Sequence, residues 1–306
     1  MLIRGNFSDF FMETMLPALN TVTWKRFNDL PDYLSKVFDV QSSSRSIEQF
    51  SEVSGMGLFG ALSEGEPVKY DKPVQGYDST FTHTRFGLGY KVSQDVIEDD
   101  KIGLVAKMAR ELGRSGQYSI QIQAASIWNN AFNPLFVGPD GVCLCSASHP
   151  LVKSGGLQSN LLSSPADLDV TSLELALTDF ETQRDSSGKL IHVPCKKIIV
   201  APVNRWNVHE ILKSTKRSDT ANNTDNAFKY AQDGMPDPFI YPFLTDPDAW
   251  FLSGEPQDTG LVWFWRRRPY TKGDVDFDTE TGKSAMRYKC SFGWHDSAGV
   301  YGTPGA

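Results

Sequence analysis

Cys143-x-Cys145-x3-His149 places two thiols and an imidazole close together in the chain. Thiolate and imidazole are the ligand types zinc prefers. A structural zinc site, however, takes four ligands and usually spaces its thiols two to four residues apart. Here the spacing is C-x-C, no second pair follows, and Cys195 is the remaining candidate for a fourth position. The simpler reading is reduced thiols, mostly buried. Cys145 with His149 as its base would be a nucleophile pair. That chemistry also needs an orienting carboxylate and an oxyanion site, and neither stands near His149-Pro150 in the sequence. Glu64, Glu66, Asp71, Asp95, Glu98, Asp99 and Asp100 form a third set, from which two carboxylates could be drawn for glycoside hydrolysis. Trp263-Phe264-Trp265 would then serve as a sugar-stacking platform. The plainer reading makes these acids solvated ribbon edges and helix-start residues near a positive dipole end, and makes the Trp strand one that buries one face. Gly87-x-Gly89 sits in a strand and opens no helix, so it is not a phosphate loop. No catalytic residue, metal or cofactor is expected.

Composition narrows the classes further. The 306 residues carry a net charge of −7, and no basic run is longer than Arg266-Arg267-Arg268. Tight sequence-specific DNA binders are usually basic. No apolar run reaches the roughly 18–20 residues of a membrane span, so no membrane partner is expected. Met1-Leu2-Ile3-Arg4 lacks the apolar core of a signal peptide, which points to synthesis in the cytosol. Four cysteines in a chain of this length make no disulfide framework.

The elements that would position these residues are mixed. Residues 1–64 read as an arm. Phe7, Phe10, Phe11, Met15, Leu16 and Leu19 allow an amphipathic helix in it, Tyr33 to Phe38 a short second one, and 51–64 a Gly/Ser-rich connector. Residues 65–92 read as an extended ribbon. Phe86 to Val92 alternates with the two-residue period of a half-buried strand, whereas Thr80 to Arg85 is β-prone but offers little core. An isolated hairpin is marginal in water, so the ribbon calls for a partner surface. Ser93 caps a short helix, and a long one is predicted over 101–132, about 48 Å at about 1.5 Å per residue. Gly113 and Gly116 argue for a bend or break in it, and Asn133-Pro134 ends it. A turn-rich loop follows to Pro165, then a helix from Asp169 to Arg184, a strand at Lys197–Ala201, and a helix with Trp206, Val208, Ile211 and Leu212 facing inward. A polar loop spans 214–238. Short strands close the chain, and the stretch from Met286 to Trp294 alternates. The fold class is α+β.

The order of arm, ribbon and long helix after Lys91-Val92-Ser93-Gln94-Asp95-Val96-Ile97-Glu98-Asp99-Asp100 resembles that of tailed-bacteriophage major capsid proteins of the HK97 fold. Ser146-Ala147-Ser148-His149-Pro150, Gly155 to Leu161, Pro194 to Pro202, Asn222 to Asn226, Asp246 to Leu252 and Phe292-Gly293-Trp294 resemble the Mu-like major head subunit in particular. The resemblance implies an N-terminal arm over 1–64, an E-loop ribbon over 65–92, and a peripheral domain with a spine helix over 93–195. It further implies an axial domain over 196–265 and a return to the peripheral domain with a C-terminal tail over 266–306. By the same resemblance the function is a structural one. The chain would self-assemble into hexamers and pentamers of an icosahedral shell around double-stranded DNA, with a separate scaffolding protein, a portal protein and a decoration protein as partners. It would be made in the host bacterial cytoplasm and reside in the virion.

Lys69, Tyr70, Phe81 and Arg85 are the expected inter-subunit ribbon residues, and Arg110, Arg114, Arg266 and Arg267 the expected DNA-facing cations. Some members of that family crosslink a ribbon lysine to an asparagine of a neighbour. Lys69, Lys72 and Lys91 match no reactive lysine, and no crosslink is expected. A carbohydrate-active or peptidoglycan-directed enzyme, or another virion structural protein such as a decoration or tail protein, are the alternatives.

Overall fold

A π-helical stretch, Phe10–Met15, leads into helix α1, Leu16–Asn28. The computed structural model describes residues 7–68, 70–99, 102–216, 225–230, 235–276 and 278–306. The expected arm differs from what this segment does. Phe11, Met15, Leu16 and Leu19 are buried together with Val92, Val105 and Ala109 of the same subunit. Their spacing of four and three residues lines one helix face, and burying such side chains is worth roughly 1.5–3 kcal/mol each.

Helix α2, Ile102–Asn129, is the surface that receives them, and it runs unbroken through Gly113 and Gly116. The two glycines mark a close approach. A Cβ at Gly113 would collide with the Thr23 carbonyl, and one at Gly116 with the Met286 sulfur. Thr23 Oγ1 donates across the crossing to the Ala109 carbonyl, 3.1 Å away. The helix-propensity cost of glycine is offset here by backbone-to-backbone packing.

Strands β1 (Asp39–Ser42), β2 (Ile47–Val53), β3 (Gln75–Thr82) and β4 (Thr84–Ser93) stand before α2 in the chain. After it come α3 (Val170–Glu181), β5 (Lys197–Val200), α4 (Arg205–Lys213), β6 (Asp237–Ile240), β7 (Trp250–Ser253), β8 (Leu261–Asp276), β9 (Thr281–Trp294) and β10 (Val300–Thr303). One sheet has the order β1-β8-β9-β4, a second β10-β7-β5-β6, and β2 pairs with β3 alone. In the first sheet β9 alternates buried and half-exposed residues. Its buried set, with Trp263 and Trp265 of β8, packs on Ile120, Ala124, Ile127 and Trp128 of α2.

The second sheet is buried on both faces, which suits its continuous apolar runs. Ile198, Val200, Trp250 and Leu252 face α3 and α4, while Ile199 and Phe251 join the α2 core. Helix α3 begins at a reciprocal cap. Asp169 Oδ1 accepts from the Ser172 N–H at 2.6 Å, and Ser172 Oγ accepts from the Asp169 N–H at 3.0 Å, which satisfies two of the orphan amides of the first turn. In α4, Val208, Ile211 and Leu212 are buried as their spacing predicts, but Trp206 points outward and is 78% exposed. Val208, Ile211 and Leu212 share one face at i, i+3 and i+4, and Trp206, two residues before Val208, projects from the opposite side of the helix. Among the described residues no helix is long and apolar enough to cross a membrane.

Candidate functional site

The ribbon is built differently from its expected strands. Its two arms are β2 and β3, joined in register from Ile47↔Thr82 to Val53↔Gln75. The described residues from Ser54 to Val74 form the tip, not a connector, and Glu66 to Val68 and Tyr70 are part of that tip rather than a strand. Ser54 closes the hairpin: its N–H donates to the Val74 carbonyl at 2.9 Å and its Oγ accepts from the Val74 N–H at 2.8 Å. Beyond this closure Leu58, Phe59, Val68 and Tyr70 stand in solvent, with Phe59 fully exposed. A run of large apolar side chains without support from its own chain marks an interaction surface.

The ribbon base is anchored. Phe81 packs on Phe50 and Phe264 at ring distances of 6.0 and 5.6 Å, and Phe50 stacks on His295 at 5.2 Å. Phe81, expected at an inter-subunit contact, is therefore spent inside its own subunit. The Thr80–Arg85 stretch supplies more core than its composition suggests. Phe264 turns away from Trp263 and Trp265 toward this base, so both faces of that strand are covered. Trp263 is fully buried and is no sugar platform. Of the other expected ribbon residues, Tyr70 lies on the exposed tip, Arg85 lies on β4, and Lys69 lies outside the described residues.

One histidine ties the ribbon to the body. His83, between β3 and β4, is buried; its Nε2 lies 3.0 Å from Ser43 Oγ and its Nδ1 2.9 Å from Ser291 Oγ. Ser43 Oγ in turn donates to Glu48 at 2.6 Å. Burial, and then the charge of Lys289, lower the His83 pKa; Glu48 opposes them with a smaller effect, and Arg266 lowers it by less still. At the other end of the ribbon Lys153 Nζ holds Asp71 at 2.7 Å and Asp71 accepts from the Gly57 N–H at 2.6 Å. These contacts, Lys153 foremost, keep the Asp71 carboxyl below its ordinary pKa. Sequence reading passed over His83, Ser43 and Lys153. The one available signal was a histidine set among threonines where two β-prone runs meet.

The reactive groups singled out in the sequence take structural places. All four cysteines are free. Burial pushes the Cys145 thiol well above its ordinary pKa and those of Cys195 and Cys290 up to about 12, so none is poised as a thiolate. Among the described residues no three His, Cys, Asp or Glu side chains gather to hold a metal. His149 instead bridges Asp140 at 2.6 Å and Asn160 at 3.1 Å, and Asn160 ties the same loop to Leu144 and Ser146. A cavity of about 270 Å³ between ribbon base and body is lined by Glu52, His149, Asp185 and His295 among others. Glu64, Glu66, Asp71, Asp95 and Asp99 of the candidate glycosidase set do not line it; Asp100 and the Glu98 side chain lie outside the described residues.

The four cations expected to face DNA fall into two groups. Arg110 and Arg114 lie on α2, Arg114 paired with Glu111 at 2.6 Å. Arg266 donates to the Ser43 carbonyl at 3.3 Å. Arg267 lies over the Tyr270 ring at 5.2 Å, opposite Lys289 on the sheet face turned away from α2.

Comparison with known proteins gives this architecture a family. No curated protein matches the sequence. Several solved structures share the fold. The chain is 15% identical to one in the procapsid of bacteriophage JBD30, over 95% of this chain and 75% of that one, with a TM-score of 0.51. A chain of Mycobacterium phage Cain is 12% identical over 99% and 95%, with a TM-score of 0.51. A chain of a virus-like particle from Pyrococcus furiosus is 6% identical over 94% and 98%, with a TM-score of 0.53. The model of the phage capsid protein family matches residues 76–302, well over half of the sequence, and the chain belongs to that family.

Proposed function

We propose that this chain is the major head subunit of a tailed bacteriophage, with the HK97-type division into E-loop, spine helix, peripheral and axial domains, and of the Mu-like kind. It acts by assembly. Copies close into hexamers and pentamers through heterologous contacts that must return on themselves by rotation. The ribbon lies over an adjacent subunit, the 214–238 segment, of which 217–224 and 231–234 lie outside the described residues, belongs near the capsomer centre, and many modest contacts sum to a large interface. A separate scaffolding protein, a portal and a decoration protein complete the particle. Packaged double-stranded DNA meets the inner surface through weak, salt-screened contacts. The protein is made in the host cytoplasm.

The observation that carries this reading is the ribbon tip. Leu58, Phe59, Val68 and Tyr70 are exposed on a two-stranded hairpin that no third strand supports among the described residues. The test is expression with and without a scaffolding protein, followed by negative-stain imaging. Closed shells are expected from the natural chain. Leu58→Ser with Phe59→Ser is expected to leave a folded subunit that no longer assembles. A natural chain that stays monomeric under every condition overturns the reading.

A further inference from the structure

The sheet face turned away from α2 carries a concentration of positive charge of which the shell reading uses only Arg267. Arg85, Lys289 and Arg267 are direct cross-strand neighbours on β4, β9 and β8. Strands lie about 4.8 Å apart, so three like charges share one row. The same face continues with Arg287 opposite Gly87 and Tyr270, with Ala285 opposite Gly89 and Lys272, and with Lys283 opposite Lys91 and Asp274. Lys283 is neutralised by Asp276 at 2.7 Å. Among the described residues the other cations of this face have no carboxylate in ion-pair reach. Like charges placed directly opposite one another destabilise a sheet, and this one belongs to a chain of net charge −7. Lysine and arginine often blunt an exposed strand edge. That accounts for Arg85 and Lys91 on edge strand β4 but not for Arg287 and Lys289 on the interior strand β9.

Beside the charges lies an open trough of about 320 Å³, floored by Gly87, Gly89 and Ala285 and flanked by Arg85 and Arg287. It runs along β4, whose outer edge has no strand partner among the described residues. That edge offers N–H donors and C=O acceptors in alternation. A phosphodiester chain carries acceptors only and would leave the carbonyls unmet; an extended polypeptide satisfies both. The ribbon tip of a second copy is a poor electrostatic match. Its Glu64 and Glu66 stand beside Lys69 and Lys72 in the sequence, and Asp71 is already held by Lys153.

We propose that β4 and the basic face beside it form a docking groove for an acidic, extended segment of a different protein, added as a strand to the edge of β4 with its carboxylates over Arg85, Arg287 and Lys289.

The test uses the full-length chain, both as assembled shells and as unassembled subunits, and a fluorescent nonapeptide of alternating Glu and Thr. Its controls are the matching Lys–Thr peptide, a peptide of residues 57–72, and a short DNA duplex. The Glu–Thr peptide is expected to bind best and to weaken as salt is raised. Arg287→Glu and Lys289→Glu are each expected to lower its affinity about tenfold or more while shells still form in negative stain; Arg287→Lys is expected to retain binding. Equal binding of the Lys–Thr peptide, or indifference to both charge reversals, overturns the proposal. Equal or tighter binding of the 57–72 peptide assigns the groove to a second copy instead, and tighter binding of the duplex assigns it to nucleic acid; either outcome overturns it too. Failure to form shells bears on the assembly reading alone, because peptide binding is read separately on subunits.

Discussion

His83 Nε2 lies 3.0 Å from Ser43 Oγ, and this contact joins the two roots of the ribbon. Ser43 follows β1, where the chain leaves the body, and His83 precedes β4, where it returns. Ser291 on β9, 2.9 Å from Nδ1, fixes the joined roots to the central sheet. The ribbon can swing as a unit only by breaking or carrying this knot. His83→Ala leaves the buried Ser291 hydroxyl short of a partner, while Ser43 keeps Glu48 and the Arg45 N–H, a loss of about 1–3 kcal/mol. Amide exchange is expected to quicken throughout β2 and β3 while α2 and β9 keep their protection. Unchanged exchange in β2 and β3 would show that the aromatic contacts of Phe50 and Phe81 hold the base alone.

The same histidine makes stability depend on pH. Burial lowers the pKa of His83 and of His295 below the ordinary value of about 6.5. The unfolded chain then binds more protons than the folded one in the interval between the folded and unfolded values, so stability rises with pH there. Full stability is expected above about pH 6.5, with a decline as the pH falls toward and through the lowered folded values. Urea midpoints measured across pH 5 to 8 check this. The decline should be smaller in His83→Gln, which keeps one hydrogen bond and cannot titrate. Midpoints that rise on acidification would contradict the sign.

What could be read in the sequence followed from local periodicity. The stripe of Leu112, Ile120, Ala124 and Trp128 announced α2, the alternation from Met286 announced β9, and Asp169 with its flanking apolar residues announced α3. What could not be read depended on long-range partners. The outer arm of the ribbon was misplaced because Ile47 to Val53 alternates only weakly. Its strand character comes from pairing with β3, whose own strongest apolar residue, Phe81, points to β8. Trp206 looked like core because helical spacing cannot say which stripe a short helix buries. The basic face went unseen because its cations come from strands nearly 200 residues apart in the chain, Arg85 from β4 and Lys289 from β9. Arg266 and Arg267 drew attention as a run, although it is the register of Arg267 with Lys289 that gives the run a meaning.

Gly113 tests the crossing of α1 over α2. By helix propensity alone, Gly113→Ala stabilises an exposed helix by about 1 kcal/mol. Here the added methyl meets the Thr23 carbonyl, and overpacking of a tight contact costs about 1–3 kcal/mol. The second effect is the larger, so net destabilisation is expected, with a lower thermal midpoint and faster exchange in α1. A rise in midpoint would mean that α1 leaves α2 at little cost and behaves as an arm after all.

Lys153 holds the far end of the ribbon by a contact of a different kind. Its pair with Asp71 at 2.7 Å is partly exposed, and such pairs contribute about 0–1 kcal/mol. Lys153→Ala is therefore expected to leave the unfolding midpoint nearly unchanged. The local effect should be larger, because Lys153 also reaches the Gly55 carbonyl at 3.5 Å and the tip has few buried apolar contacts of its own. Limited proteolysis should cut between Gly55 and Lys72 several-fold faster in the variant, and high salt should reproduce the effect in the natural chain by screening the pair. Because a ribbon released in this way still has the His83 knot at its base, cleavage in β2 or β3 should not increase. Equal acceleration in those strands would mean that tip and base move together, which would make the knot and the Lys153 pair parts of one latch rather than two.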